Sequence, residues 1–84
     1  MTLTDRDRAI LDFERGWWLE PSNKGGAIRA RLAMSPTRYY RLLGQVIDDP
    51  AAAHYDPLVV HRLRRARLER RRARVEGRNY GHGR

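Results

Sequence analysis

The chain of 84 residues has no cysteine, a single lysine and no run of more than three consecutive apolar residues. Without cysteine there are no disulfides, no cysteine-ligated zinc and no thiol chemistry, which suits a reducing compartment. The short apolar runs exclude a membrane-spanning helix, which needs roughly 18 apolar residues or more. Met1–Thr2–Leu3–Thr4–Asp5 has no basic stretch leading into an apolar one, so no secretory signal is expected and the cytoplasm is the expected location. No segment alternates apolar and polar residues, and no internal repeat is present, so strands are not expected. Acidic residues are scarce in one region only. Residues 57–84 hold Glu69 and Glu76 against ten arginines, whereas residues 1–56 hold seven arginines and Lys24 against eight acids. The whole net charge of +8 therefore lies in the last third.

That asymmetry implies a neutral unit carrying a polycationic extension, the electrostatic form of a protein that meets a polyanion. Nucleic acid is the commonest such partner, because arginine–phosphate contacts release counterions. The seventeen-to-one excess of arginine over lysine also suits a G+C-rich coding sequence. The charge itself still needs a counterpart.

Helix signals order the rest. Thr4 and Asp7 have the spacing of a capping box, and Ile10, Leu11, Phe13, Trp17 and Trp18 follow on one helical face. Glu20–Pro21–Ser22–Asn23 is a break, and a short helix is expected over residues 24–32, capped by Ser22 or Asn23, with Ile28 and Leu32 facing inward. Gly25–Gly26 lacks the preceding strand and the following Lys-Ser/Thr of a phosphate-binding loop, so that reading is set aside. Ser35–Pro36 pairs an N-cap with a first-turn proline and opens a third helix reaching about Ile47. Its buried stripe is Tyr39, Leu42, Leu43, Val46 and Ile47, and Asp48–Asp49–Pro50 stops it. Residues 51–55 read as a linker with room for one helical turn. Asp56–Pro57 repeats the cap-plus-proline signal and opens a fourth helix whose stripe, Val59, Leu63 and Ala66, meets Arg70 at its next position. Core packing is expected to end near Ala66. From Gly77 onward periodicity is lost, and a disordered tail is expected.

The expected fold class is thus all-α: a trihelical helix-turn-helix core over residues 1–56, a basic helix over 57–76 packing by its first turns, and a flexible tail over 77–84. Two short helices joined by a three-residue turn, the second opening Ser-Pro-Thr-Arg, carry the helix-turn-helix pattern. Arg29 and Ala33 depart from it, where alanine and glycine are usual. On the third helix Arg38, Arg41 and Gln45 share an exposed face, and their side chains suit guanine and adenine edges. Lys24, Ser35, Thr37 and Tyr40 are the expected phosphate contacts around it. Arg62, Arg64, Arg65, Arg67, Arg70, Arg71, Arg72 and Arg74 are the expected phosphate contacts along the last helix. From Pro57 to Val75 that helix would span about 28 Å, most of a DNA turn.

Leu3–Thr4–Asp5–Arg6–Asp7, Lys24–Gly25–Gly26–Ala27–Ile28–Arg29, Ser35–Pro36–Thr37–Arg38–Tyr39–Tyr40–Arg41–Leu42–Leu43 and Asp56–Pro57–Leu58 together resemble a family of small actinobacterial proteins catalogued as a domain of unknown function. The resemblance covers about residues 3–72, with Ser-Pro-Thr-Arg-Tyr-Tyr its most specific element. It implies a helix-turn-helix fold and a DNA-binding, nucleoid-associated or regulatory role, with no cofactor and no catalytic residues.

Other chemistries have weaker support. His54, His61 and His82 have no convincing serine or threonine partner, so no enzyme is expected. The spacing of His54, Asp56 and His61 matches no familiar metal site. The acidic pairs Asp5/Asp7, Asp12/Glu14 and Asp48/Asp49 read as caps and solvated faces. Structured RNA is the competing partner for an arginine-rich helix, in an RNA-binding or ribosome-associated small basic protein. It is disfavoured because Trp17, Trp18, Tyr39 and Tyr55 fall where a helical core needs them, not on strands or loops. A protein-interaction module of the transcription machinery is a third reading, which exposure of Trp17 or Trp18 would favour. Membrane-surface binding fails, because Leu68, Ala73 and Val75 do not share a face. No small-molecule substrate is expected. A homodimer stays open, with no heptad pattern to support a coiled coil.

Overall fold

The computed structural model describes residues 3–17 and 23–82, with side chains described as far as Val75. Among these residues the structure is all-helical: α1 (Asp5–Trp17), α2 (Lys24–Leu32), α3 (Pro36–Val46), α4 (Pro50–Tyr55) and α5 (Pro57–His82). The expected Ser22 cap and the placement of Trp18 lie outside the described residues.

Local chemistry sets the helix starts. Asp7 N–H donates to Thr4 Oγ1 at 3.0 Å, and Thr4 N–H donates to Asp7 Oδ2 at 3.2 Å, completing the capping box of α1. Asn23 caps α2 by accepting from Gly26 N–H at 3.2 Å. A Cβ at Gly26 would lie 2.6 Å from Asn23 Nδ2, so the glycine makes room for this cap. Ser35 Oγ accepts from Arg38 N–H at 3.2 Å ahead of Pro36. Asp49 and Asp56 do the same for α4 and α5, each followed by a proline.

Residues 51–55, expected as a linker, form most of α4. Asp49–Pro50 is itself a cap-plus-proline start, and the same residues that end α3 begin the next helix. The backbone of α5 remains helical through Gly77 to His82, beyond the expected end near residue 76. Its 26 residues extend about 39 Å at the usual rise, in a molecule measuring 49 × 29 × 22 Å.

α1 lies against α2, α3 and α5; α2 packs on α3, and α4 on α5. The core joins Ile10, Leu11, Phe13 and Trp17 of α1 to Ile28, Tyr39, Leu42, Leu43, Val46, Val59 and Val60. Phe13 stacks on Trp17 with ring centroids 5.5 Å apart and meets Tyr39 edge-on at 5.6 Å. Tyr55, expected in this core, is instead 39% exposed, and its hydroxyl donates to Asp12 at 2.9 Å. On α5 burial is deepest at Val59 and Val60, intermediate at Leu63 and Ala66, and absent from Leu68 to Val75.

Candidate nucleic-acid interface

α3 has a buried side and an open side. Tyr39, Leu42, Leu43 and Val46 face the core, while Thr37, Arg38, Tyr40, Arg41 and Gln45 are exposed. The side chains of Arg38 and Arg41 have no hydrogen-bond or ion-pair partner among the described residues, so both guanidinium groups are available to a ligand. Ser35 is exposed, with its Oγ already accepting from Arg38 N–H. Tyr40, 50% exposed, stands edge-on to Tyr39.

α2 meets α3 through Ala33–Met34–Ser35. Ala33 ends α2 in the left-handed region (φ 52°, ψ 41°), and its N–H donates to Arg29 O at 3.1 Å. This is the conformation for which glycine is usual. An alanine therefore holds a helix-end conformation in which glycine is usual.

Behind α3 lies a buried polar cluster centred on Glu14, which is 4% exposed. Its carboxylate accepts from Tyr39 Oη and pairs with Lys24 Nζ at 2.8 Å, while Arg62 lies 4.0 Å from it. Arg62 also donates to the Glu14 carbonyl at 2.9 Å. Four helices meet at one carboxylate. Burial, then the Glu14 carboxylate, drives the Tyr39 pKa well above the ordinary tyrosine value, so Tyr39 stays protonated as the donor. Glu14 was expected on a solvated face; the demand for a buried acceptor comes from Tyr39, Lys24 and Arg62, which are distant in sequence. Lys24, expected at a phosphate, is partly buried over the rings of Tyr39 and Tyr40, at 5.8 and 5.3 Å from their centroids. Trp17 is buried too, with Arg31 above its ring at 6.0 Å.

The arginines of α5 divide by position. Arg62 holds Glu14. Arg64 Nε donates to Ile47 O at 2.6 Å, at the C-terminal end of α3. Arg67 grips Asp48 bidentately, at 2.7 and 3.2 Å. These three were expected at phosphates; the structure engages each within the fold. Arg65 lies 3.6 Å from Glu69 one turn on. Arg70, Arg71, Arg72 and Arg74 are exposed, with no hydrogen-bond or ion-pair partner among the described residues. Hydrogen bonding to Arg67 holds the Asp48 carboxyl below its ordinary pKa, with help from the charges of Arg67, Arg64 and Arg71.

Asp56, one of the three residues weighed as a metal site, is buried. It pairs with Arg15 at 2.9 Å and caps α5. No three His, Cys, Asp or Glu side chains among the described residues could hold a metal ion together. No helix among the described residues is long and apolar enough to cross a membrane.

No curated protein and no solved structure matches the chain. A family model described as "Protein of unknown function (DUF3263)" matches residues 2–75, nearly the whole chain. The chain belongs to the DUF3263 family.

Proposed function

We propose that this protein binds double-stranded DNA as a nucleoid-associated protein or transcriptional regulator in the cytoplasm, and that it is a binding protein and not an enzyme. In this reading α2, the 33–35 connection and α3 act as a helix-turn-helix. α3 enters the major groove with Arg38, Arg41 and Gln45 at base edges, and Ser35, Thr37 and Tyr40 lie toward phosphates. The distal part of α5 follows the backbone through Arg65, Arg70, Arg71, Arg72 and Arg74. Lys24, Arg62, Arg64 and Arg67 serve the fold.

The observation that carries the reading is the pairing of two uncompensated cationic surfaces. Arg38 and Arg41 on α3, and Arg70, Arg71, Arg72 and Arg74 on α5, are exposed and unpaired among the described residues. Concentrated like charge works against a small fold unless a polyanion meets it. The buried Trp17 removes one support for a protein-interaction module; Trp18 lies outside the described residues. The test is a salt-titrated competition between random-sequence duplex DNA and structured RNA. Preference for the duplex with a steep salt dependence is expected, and preference for RNA overturns the reading.

A further inference from the structure

Asp48 is an acidic residue at the edge of a surface read as DNA-binding, and simple electrostatics makes it a liability. It lies in the turn just past the end of α3, exposed, with its N–H donating to Gln45 O at 3.3 Å, and it lines one surface cavity together with Gln45 of the open face. An uncompensated carboxylate there would repel phosphate. Arg67 cancels it with two hydrogen bonds, and Arg64 caps the adjacent Ile47 carbonyl, one of the orphan acceptors at the end of α3. After Arg67 no side chain as far as Val75 bonds to the body, and every one from Leu68 to Val75 is exposed. The junction of Arg64 and Arg67 with Ile47 and Asp48 is therefore the last fixed point before the cationic arm.

We infer that Asp48 and Arg67 are positioning residues that set the angle at which the distal arm leaves α3, so that α3 and Arg70–Arg74 engage one stretch of duplex together. The inference rests on the DNA-binding reading above. Its physical basis is multivalency: two weak surfaces held in register act as one strong surface, and the gain is lost when the geometry between them is free. A bidentate arginine–carboxylate pair fixes direction as well as distance, which a single hydrogen bond does not. The Arg67 side chain is itself largely covered, with 26% of its area exposed, which adds to that constraint. In this role the acid anchors the arm.

The test uses the opposite signs of the two effects. Asp48→Ala removes a negative charge, so unaided electrostatics would strengthen binding to a polyanion. The positioning role requires the reverse. Binding of the full chain to random-sequence duplex is measured across a salt series for wild type, Asp48→Ala, Arg41→Ala and the charge swap Asp48→Arg/Arg67→Asp, which leaves net charge unchanged. Asp48→Ala is expected to bind about threefold or more weakly, with a shallower salt dependence, and the swap to return both to wild-type values. The Asp48 side chain is 60% exposed, and thermal unfolding checks that each variant is folded at the assay temperature. If Asp48→Ala proved too unstable to assay, Asp48→Asn, which keeps the side chain's size and loses the ion pair, decides: weaker binding with a shallower slope supports the inference, and unchanged or tighter binding overturns it. Unchanged or tighter binding by Asp48→Ala overturns the inference while leaving the DNA-binding reading intact, provided Arg41→Ala weakens binding. Absence of duplex binding by the wild type overturns both.

Discussion

The hydroxyl of Tyr39 donates to the carboxylate of Glu14 in the interior of the molecule, joining α3 to α1. Tyr39 is fully buried and Glu14 nearly so. A carboxylate in such a place is tolerated only when its oxygens are satisfied and its charge is met. Tyr39, Lys24 and Arg62 supply both, from three different helices. The cluster therefore fixes α3 from behind while its other face stays open.

Removing either end of this relationship should destabilise the fold by different amounts. Glu14→Ala leaves Lys24 and Arg62 without their anion and should cost about 3–5 kcal/mol, a large share of the roughly 5–15 kcal/mol typical of a domain. Tyr39→Phe removes one hydrogen bond to a charged acceptor and should cost about 1.5–3 kcal/mol. Urea unfolding of both variants checks the order. Equal losses would mean that the ion pairs around Glu14 contribute little beyond the tyrosine.

The same contact predicts an alkaline limit. Burial and then Glu14 raise the folded-state pKa of Tyr39 above its unfolded value, near 10. Tyr55 is raised in the same direction, chiefly by its hydrogen bond to Asp12. A raised folded pKa contributes stability that is complete below the unfolded value and lost as pH rises through the folded one. Unfolding free energy should therefore fall above about pH 10. Ultraviolet titration of the native protein should show Tyr39 silent until the chain unfolds. Tyr39→Phe should flatten the alkaline decline.

Ala33 offers a stabilising change. Its left-handed backbone costs a Cβ-bearing residue about 1–2 kcal/mol, and glycine avoids that cost at some expense in unfolded-state entropy. Ala33→Gly should raise stability by about 0.5–1 kcal/mol, visible as a higher midpoint in urea. Duplex affinity should not change, because α3 keeps its place. A loss of stability would mean that the alanine methyl packs better than its exposed position suggests.

Caps, breaks and apolar stripes were legible because each is local. Thr4/Asp7, Ser35–Pro36 and Asp56–Pro57 mark helix starts within four residues, and the stripe of α3 announces its buried side. The α4 helix was obscured because Asp48–Asp49–Pro50 reads equally as a stop and as a start. The partners of Glu14, Lys24 and the arginines at 62, 64 and 67 were hidden for a different reason. A charged residue reads as solvated unless its partner is known, and these partners lie 10 to 48 residues away. Composition reveals how much charge the last helix carries. Which of those charges are spent inside the fold depends on where α5 crosses the end of α3, and no short-range pattern encodes that crossing.

That division of labour among the arginines gives the sharpest prediction. Replacing Arg70, Arg71, Arg72 and Arg74 together by alanine removes four exposed charges and keeps good helix formers in place. Thermal stability should hold or rise as like-charge repulsion is relieved. If each arginine meets one phosphate, the slope of log affinity against log salt should flatten by about 3.6. Arg64→Ala should behave in the opposite way, lowering stability by about 1 kcal/mol or more as the Ile47 carbonyl loses its partner. It removes no phosphate contact itself, so any fall in salt slope should be smaller than one contact's share. Arg38→Ala/Arg41→Ala should differ from both, equalising affinity among duplex sequences while the arm's part of the salt dependence remains. If the quadruple variant kept the wild-type slope, the distal charges would not be meeting phosphate. The +8 of the chain would then need another partner.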